Sequence, residues 1–160
     1  MIKNFLLVFL IISYLKKIFP ILIFIILIGC IITEITASQD IPNIEVKSIN
    51  LNEKINTKTI DNGVLLDPED NIPTKDSIVL FGHRTKHGGP FFKLNEIKIG
   101  DKIILNWPKL GKFNYTVTNK TIMSKNSDLN IDEKNSIYLI TCDPIGSTEN
   151  RLIIKGQLTK

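Results

Sequence analysis

Cysteine is scarce in this chain. There are two, Cys30 inside a very hydrophobic N-terminus and Cys142 near the other end. If everything beyond that N-terminus lies outside the cytoplasm, Cys142 has no disulfide partner there, and a disulfide-stapled scaffold is excluded. Histidine is equally scarce, with only His83 and His87, and no second cysteine or carboxylate pair stands near them to complete a zinc site. A large excess of one charge is missing as well. The formal net charge is +4; removing Lys3, Lys16, Lys17, Glu34 and Asp40 leaves 17 basic and 14 acidic residues in 41–160. Those lysines are scattered rather than striped, which argues against a nucleic-acid partner. Repeats and low-complexity segments are absent. With the hydrophobic segment subtracted, the remainder has room for one small domain.

Long apolar stretches are confined to the N-terminus. Phe5 to Leu15 is apolar apart from Ser13 and Tyr14, Lys16-Lys17 interrupt, and Ile18 to Ile32 is apolar again. A spanning helix needs roughly 20 apolar residues, so only the second run, extended through Ala37, is long enough. Lys16-Lys17 on one side and Glu34 and Asp40 on the other predict the N-terminus inside and the rest outside. The segment reads as one signal anchor over 1–37, spanning about 18–37. Leu27-Ile28-Gly29-Cys30 also resembles a bacterial lipobox, although Ile31-Ile32 continue the run as an uncleaved helix would. Cleavage near Thr36-Ala37-Ser38 is a third reading. All three export the domain that follows, with 38–42 as a linker and 43–160 as the folded unit.

That unit reads as β structure. Asn43 to Leu51 alternates, Ser77 to Phe81 is a short apolar run, and Lys102 to Trp107 follows a Gly100-Asp101 turn. Phe113 to Thr118 alternates with period two, and Ser136 to Cys142 and Arg151 to Leu158 complete the set. Only Phe91 to Lys98 looks helical. Short strands with almost no helix predict a small all-β barrel or sandwich.

A hairpin brings two chemically distinctive residues together. If 136–142 and 151–158 are consecutive antiparallel strands, Cys142 closes one and Arg151 opens the next across the loop 143–149. An unpaired thiol in an exported domain is either buried and inert or reactive, and a neighbouring fixed cation favours the second reading. His83 follows an apolar strand and Gly82, the kind of strand end where a functional group is presented. His87 lies among Gly88, Gly89 and Pro90 and reads as a solvated loop residue. The i, i+4 spacing of the histidines would suit a metal only on a helix, which those residues oppose. Local reasoning does not place His83 relative to Cys142.

Gly82-His83, Leu139-Ile140-Thr141-Cys142 and Arg151, in that order, resemble the sortases, the cysteine transpeptidases that attach surface proteins in Gram-positive bacteria. His83 through Leu94 and Ile99-Gly100-Asp101-Lys102-Ile103 look like the short class D and E type. The likeness covers most of 41–160, and the N-terminal anchor fits it. It departs from the family at Tyr138, where Thr is common, and in the brief segment between Met123 and Ser136 that helps wall the substrate groove.

The resemblance implies a small closed β-barrel with one or two short helices, preceded by an N-terminal transmembrane helix in the cell membrane. It implies Cys142 as nucleophile, His83 as proton donor and Arg151 as the fixed charge, with Thr141 a candidate for oxyanion or substrate contact. The partners would be the sorting-signal peptide of a surface protein and an amine of the cell wall or of a pilin. No cofactor is implied; some sortases bind calcium through acidic loops, and Asp67, Glu69 and Asp70 could serve, though they read more simply as a solvated turn. Two other functions stand beside this one. A catalytically inactive, membrane-tethered binding or assembly domain would keep the scaffold without turnover. An L,D-transpeptidase would carry histidine close to the cysteine, as in Ser-His-Gly-Cys, and nothing of that kind surrounds Cys142.

Overall fold

The computed structural model describes residues 18–21, 23–25, 41–68, 73, 77–131 and 134–159. Residues 1–40 and 41–160 form separate units. In the first, 18–21 and 23–25 are helical; the rest of the expected anchor, Cys30 and the cleavage segment lie outside the described residues. Among the described residues no helix is long and apolar enough to cross a membrane. Glu69 and Asp70 also fall outside them.

The second unit is a closed eight-stranded barrel. Its strands are β1 (Asn43–Val46), β2 (Leu51–Asn56), β3 (Val64–Leu66), β4 (Ile78–Phe81), β5 (Lys102–Trp107), β6 (Gly111–Ser124), β7 (Ser136–Asp143) and β8 (Asn150–Thr159). Round the barrel the order is β1, β2, β3, β4, β7, β8, β6, β5, closing through an antiparallel β1–β5 pair. Two pairs are parallel, β2 with β3 and β4 with β7. The six strands expected from apolar patterning are all present, but 43–51 is two elements rather than one. A single 3-10 turn, Lys47–Ile49, ends β1 with Asn50 in the left-handed region and starts β2.

The short helix expected over 91–98 is present as a 3-10 segment at Leu94–Glu96 among successive tight turns. Its apolar residues explain this. Phe91, Leu94 and Ile97 are all fully buried, and a spacing of three aligns them on one face of a three-residue turn.

Strand parity sorts the apolar residues into two groups. Ile78 and Leu80 of β4, Ile137 and Leu139 of β7, and Leu152 and Ile154 of β8 point into the barrel core. Their alternates, Val79, Tyr138, Ile140 and Ile153, form a second cluster with Phe81, Met123 and Leu129. The β4–β7–β8 sheet is therefore apolar on both faces, which is why β7 reads as a continuous apolar run rather than an alternating one. Cys142 and Arg151 share the parity of this outer group.

Candidate active site

The strand register assembles the site. Parallel pairing of β4 with β7 sets Phe81 opposite Ile140. His83 and Cys142 each lie two residues further on, so both emerge at the same edge of the sheet. On the other side of β7, the antiparallel register pairs Cys142 with Arg151 directly. The thiol thus sits on the middle strand, with the histidine segment on one flank and the arginine on the other. All three line one cavity of about 340 Å³, together with Thr141, Ile140 and Phe81. The hairpin expected from the sequence is present, and the parallel β4–β7 pairing supplies the long-range contact that local reasoning could not.

His83 is held from several directions. Its Nε2 lies 3.1 Å from an Asp61 carboxylate oxygen, with the two side chains 40% and 80% exposed. Its carbonyl accepts from the Phe91 N–H at 3.1 Å. Gly82 and Gly89 make this path available. A Cβ on Gly82 would stand 2.6 Å from the buried Phe91 ring, and one on Gly89 would stand 2.4 Å from the His83 carbonyl oxygen. Gly89 also has φ +128°, a conformation that favours glycine. His87 is exposed in the turn between Thr85 and Gly88, which exchange backbone hydrogen bonds.

Cys142 is half-buried and free. The Thr141 hydroxyl is buried and donates to the Gly82 carbonyl at 2.7 Å. Its one proton is therefore committed to holding the histidine segment, and an oxyanion would have to find another donor. Arg151 donates through Nη1 to the Thr148 and Asn150 carbonyls at 3.1 and 3.0 Å. Its Nε and Nη2 donors have no protein partner among the described residues, and the side chain lines the cavity.

An apolar groove of about 250 Å³ adjoins the cavity and shares Phe81, Ile140 and Arg151 with it. Val79, Ile153 and Met123 form its floor, and the segment through Leu129 and Ile131 forms its wall. The brief stretch after Met123 is thus enough to wall a groove.

Sequence reading missed Asp61, Arg84 and Asp143 as neighbours of the site. Asp61 lies in an ordinary turn signature, Thr59 to Gly63, with no local sign that it faces a histidine. Trp107 packs against the core and Tyr115 lies within it. Among the described residues no group of three or more His, Cys, Asp or Glu gathers as a metal site would require.

The comparisons agree with this fold. The Sortase domain profile matches residues 40–159. YwpE of Bacillus subtilis (strain 168), which carries the sortase name, is 39% identical over 82 residues, 49% of this chain and 79% of that protein. Sortase A of Listeria monocytogenes superimposes with a TM-score of 0.64 at 28% identity, covering 76% of this chain and 88% of that one. Sortase C-1 of Actinomyces oris gives 0.65 at 25% identity, covering 76% and 73%. With a family profile spanning the whole barrel, and a cysteine, histidine and arginine meeting at one sheet edge, this chain belongs to the sortase family of cysteine transpeptidases.

Proposed function

We propose that this chain is a membrane-anchored transpeptidase that cleaves an LPxTG-like sorting signal between Thr and Gly and passes the acyl group to an amine of the cell envelope or of a pilin. The observation that carries this reading is the placement of Cys142 between His83 and Arg151 at the head of an apolar groove. The groove suits the apolar leading residues of such a signal, and the cavity would receive the scissile Thr–Gly bond.

Cys142, as thiolate, attacks the threonine carbonyl carbon; sulfur is far more nucleophilic than a hydroxyl at neutral pH. The carbonyl oxygen takes the negative charge of the tetrahedral intermediate, and the partner-free edge of the Arg151 fork offers it paired donors and a fixed cation. Collapse breaks the C–N bond and forms the thioester, while protonated His83 gives its proton to the departing glycine amine. The acceptor amine then attacks the thioester and loses a proton to His83, the C–S bond breaks to return Cys142 as thiolate, and an amide is restored.

Export and anchoring rest on the apolar stretch 18–37 behind Lys16-Lys17, which would hold the barrel outside the cell membrane by a single span. Within the family, the reading favours the short class D and E type, from His83 to Leu94 and Ile99 to Ile103.

The test is incubation of the 160-residue chain, in detergent, with a fluorogenic LPxTG-type peptide library and an amine acceptor. Cleavage after Thr and amine-dependent transfer are expected. An intact peptide with every library member would point to the inactive assembly domain, and cleavage of only cell-wall peptides would point to the L,D-transpeptidase.

A further inference from the structure

Arg84 is the one buried charged residue among the described residues. It follows His83 directly, yet its guanidinium reaches the end of β7. Nη1 donates to the Asp143 carboxylate at 2.7 Å and to the Cys142 carbonyl at 3.3 Å, and Nε donates to the Phe92 carbonyl at 3.3 Å. The ion pair is sheltered, with the two side chains 5% and 19% exposed. The residue next to the histidine is thus bound to the cysteine's own backbone and to the residue after it.

The position of this contact in the sheet gives it meaning. The β4–β7 ladder ends at Phe81 and Ile140, and the Gly82 N–H adds one more bond to the Ile140 carbonyl at 3.2 Å. Beyond that point the Thr141 hydroxyl bonds the Gly82 carbonyl, and the Arg84 guanidinium bonds the Cys142 carbonyl. Side chains continue the pairing where the backbone stops. Without them the end of β7 would stay paired with β8 while the histidine segment lost its tie to it, and a catalytic geometry tolerates little drift.

We propose that Arg84 and Asp143 form a positioning brace that holds the His83 segment in register with Cys142. This rests on the transpeptidase reading for its effect on rate, but not for its effect on structure. Arg84 touches no reacting atom. Charge alone does not describe it, because the planar fork serves a carboxylate and two carbonyls together.

Removing only Arg84 would leave a sheltered carboxylate unpaired and destabilise the fold for reasons unrelated to the site. The informative variant is Arg84→Met/Asp143→Leu, since replacing both partners of such a pair by apolar residues is often neutral or stabilising. In the 160-residue chain in detergent, its melting midpoint is expected within about 4 °C of the parent. With an LPxTG-type peptide, kcat should fall at least about tenfold while KM moves less than about threefold, the pattern of lost alignment rather than lost binding. Hydrogen exchange at the Gly82 amide should quicken at least about tenfold, while amides within 137–140 stay as protected as in the parent.

A purely structural pair predicts that kcat returns once the midpoint does. Parental kcat and parental Gly82 exchange in a stable double variant would overturn the brace. If the parent itself cleaves no peptide, the transpeptidase reading falls, and Gly82 exchange alone still decides whether the brace exists.

Discussion

At the scale of single residues, the account turns on what each side chain beside the thiol can donate. If Arg151 supplied only positive charge, lysine would replace it. Its free Nε and Nη2 edge instead offers paired donors that an ammonium cannot reproduce. Arg151→Lys is expected to fold and keep a thiol that a methanethiosulfonate reagent labels, yet to lose roughly a hundredfold in kcat/KM, the loss typical of one oxyanion donor. Near-parental turnover would reduce Arg151 to a point charge. His83→Ala is expected to lose at least about a hundredfold, and His87→Ala to stay within a few-fold. Asp61→Asn should cost less than about tenfold, because the Asp61–His83 pair is well exposed and such pairs contribute little. Steady-state kinetics on the four variants would rank these roles. The Cys142–Arg151 contact was legible in the sequence because a hairpin makes neighbours of residues close in the chain. Asp61 was not, since it reaches His83 across 22 positions from a turn like any other.

At the scale of elements, the histidine loop is packed tightly as well as tied by its polar groups. Gly82 and Phe91 are in such close contact that a methyl group has no room, and the ring is fully buried. Gly82→Ala is expected to destabilise the barrel by about 1–3 kcal/mol, the range for overpacking, measurable as a lower denaturant midpoint. Elsewhere the Asp101 carboxylate accepts from the Lys98 N–H at 2.9 Å and the Ser48 hydroxyl at 2.8 Å. The Lys98 bond first, and the Ser48 bond second, hold Asp101 below the usual carboxylate range. A depressed carboxylate stabilises the fold above its unfolded pKa and loses that contribution as pH falls through the folded value. Asp101→Asn should therefore lower the melting midpoint near pH 7, and the difference should vanish in strong acid; a pH-independent difference would contradict this.

The sequence made the strongly apolar strands β4, β5, β7 and β8 readable. β2 and β3 were not, because β2 buries only Leu51 and Ile55 among polar residues and β3 is three residues long. The short helix expected at 91–98 takes the 3-10 form because a spacing of three suits 3-10 turns as well as an α-helical face.

At the scale of the whole molecule, closure of the barrel creates both the core and the site. Tyr115 is fully buried, and its hydroxyl finds no partner among the described residues; burial alone pushes it up to about 12. A buried hydroxyl without a partner costs about 1–3 kcal/mol, so Tyr115→Phe is expected to leave the barrel equally or more stable in thermal denaturation. A clear loss of stability would reveal a partner for that hydroxyl. Parallel pairing of β4 with β7 and antiparallel pairing of β7 with β8 bring His83, Cys142 and Arg151 to one edge, beside a groove that the outer face of the same sheet provides. The central claim is that this edge forms a covalent intermediate with a sorting signal. Mass spectrometry of the 160-residue chain after brief exposure to an LPxTG-type peptide tests it most directly. Cys142 is expected to gain the mass of the peptide up to its threonine, as a hydroxylamine-sensitive thioester absent from Cys142→Ala. Cleavage that persists in Cys142→Ala, or an adduct on any residue other than Cys142, would contradict it.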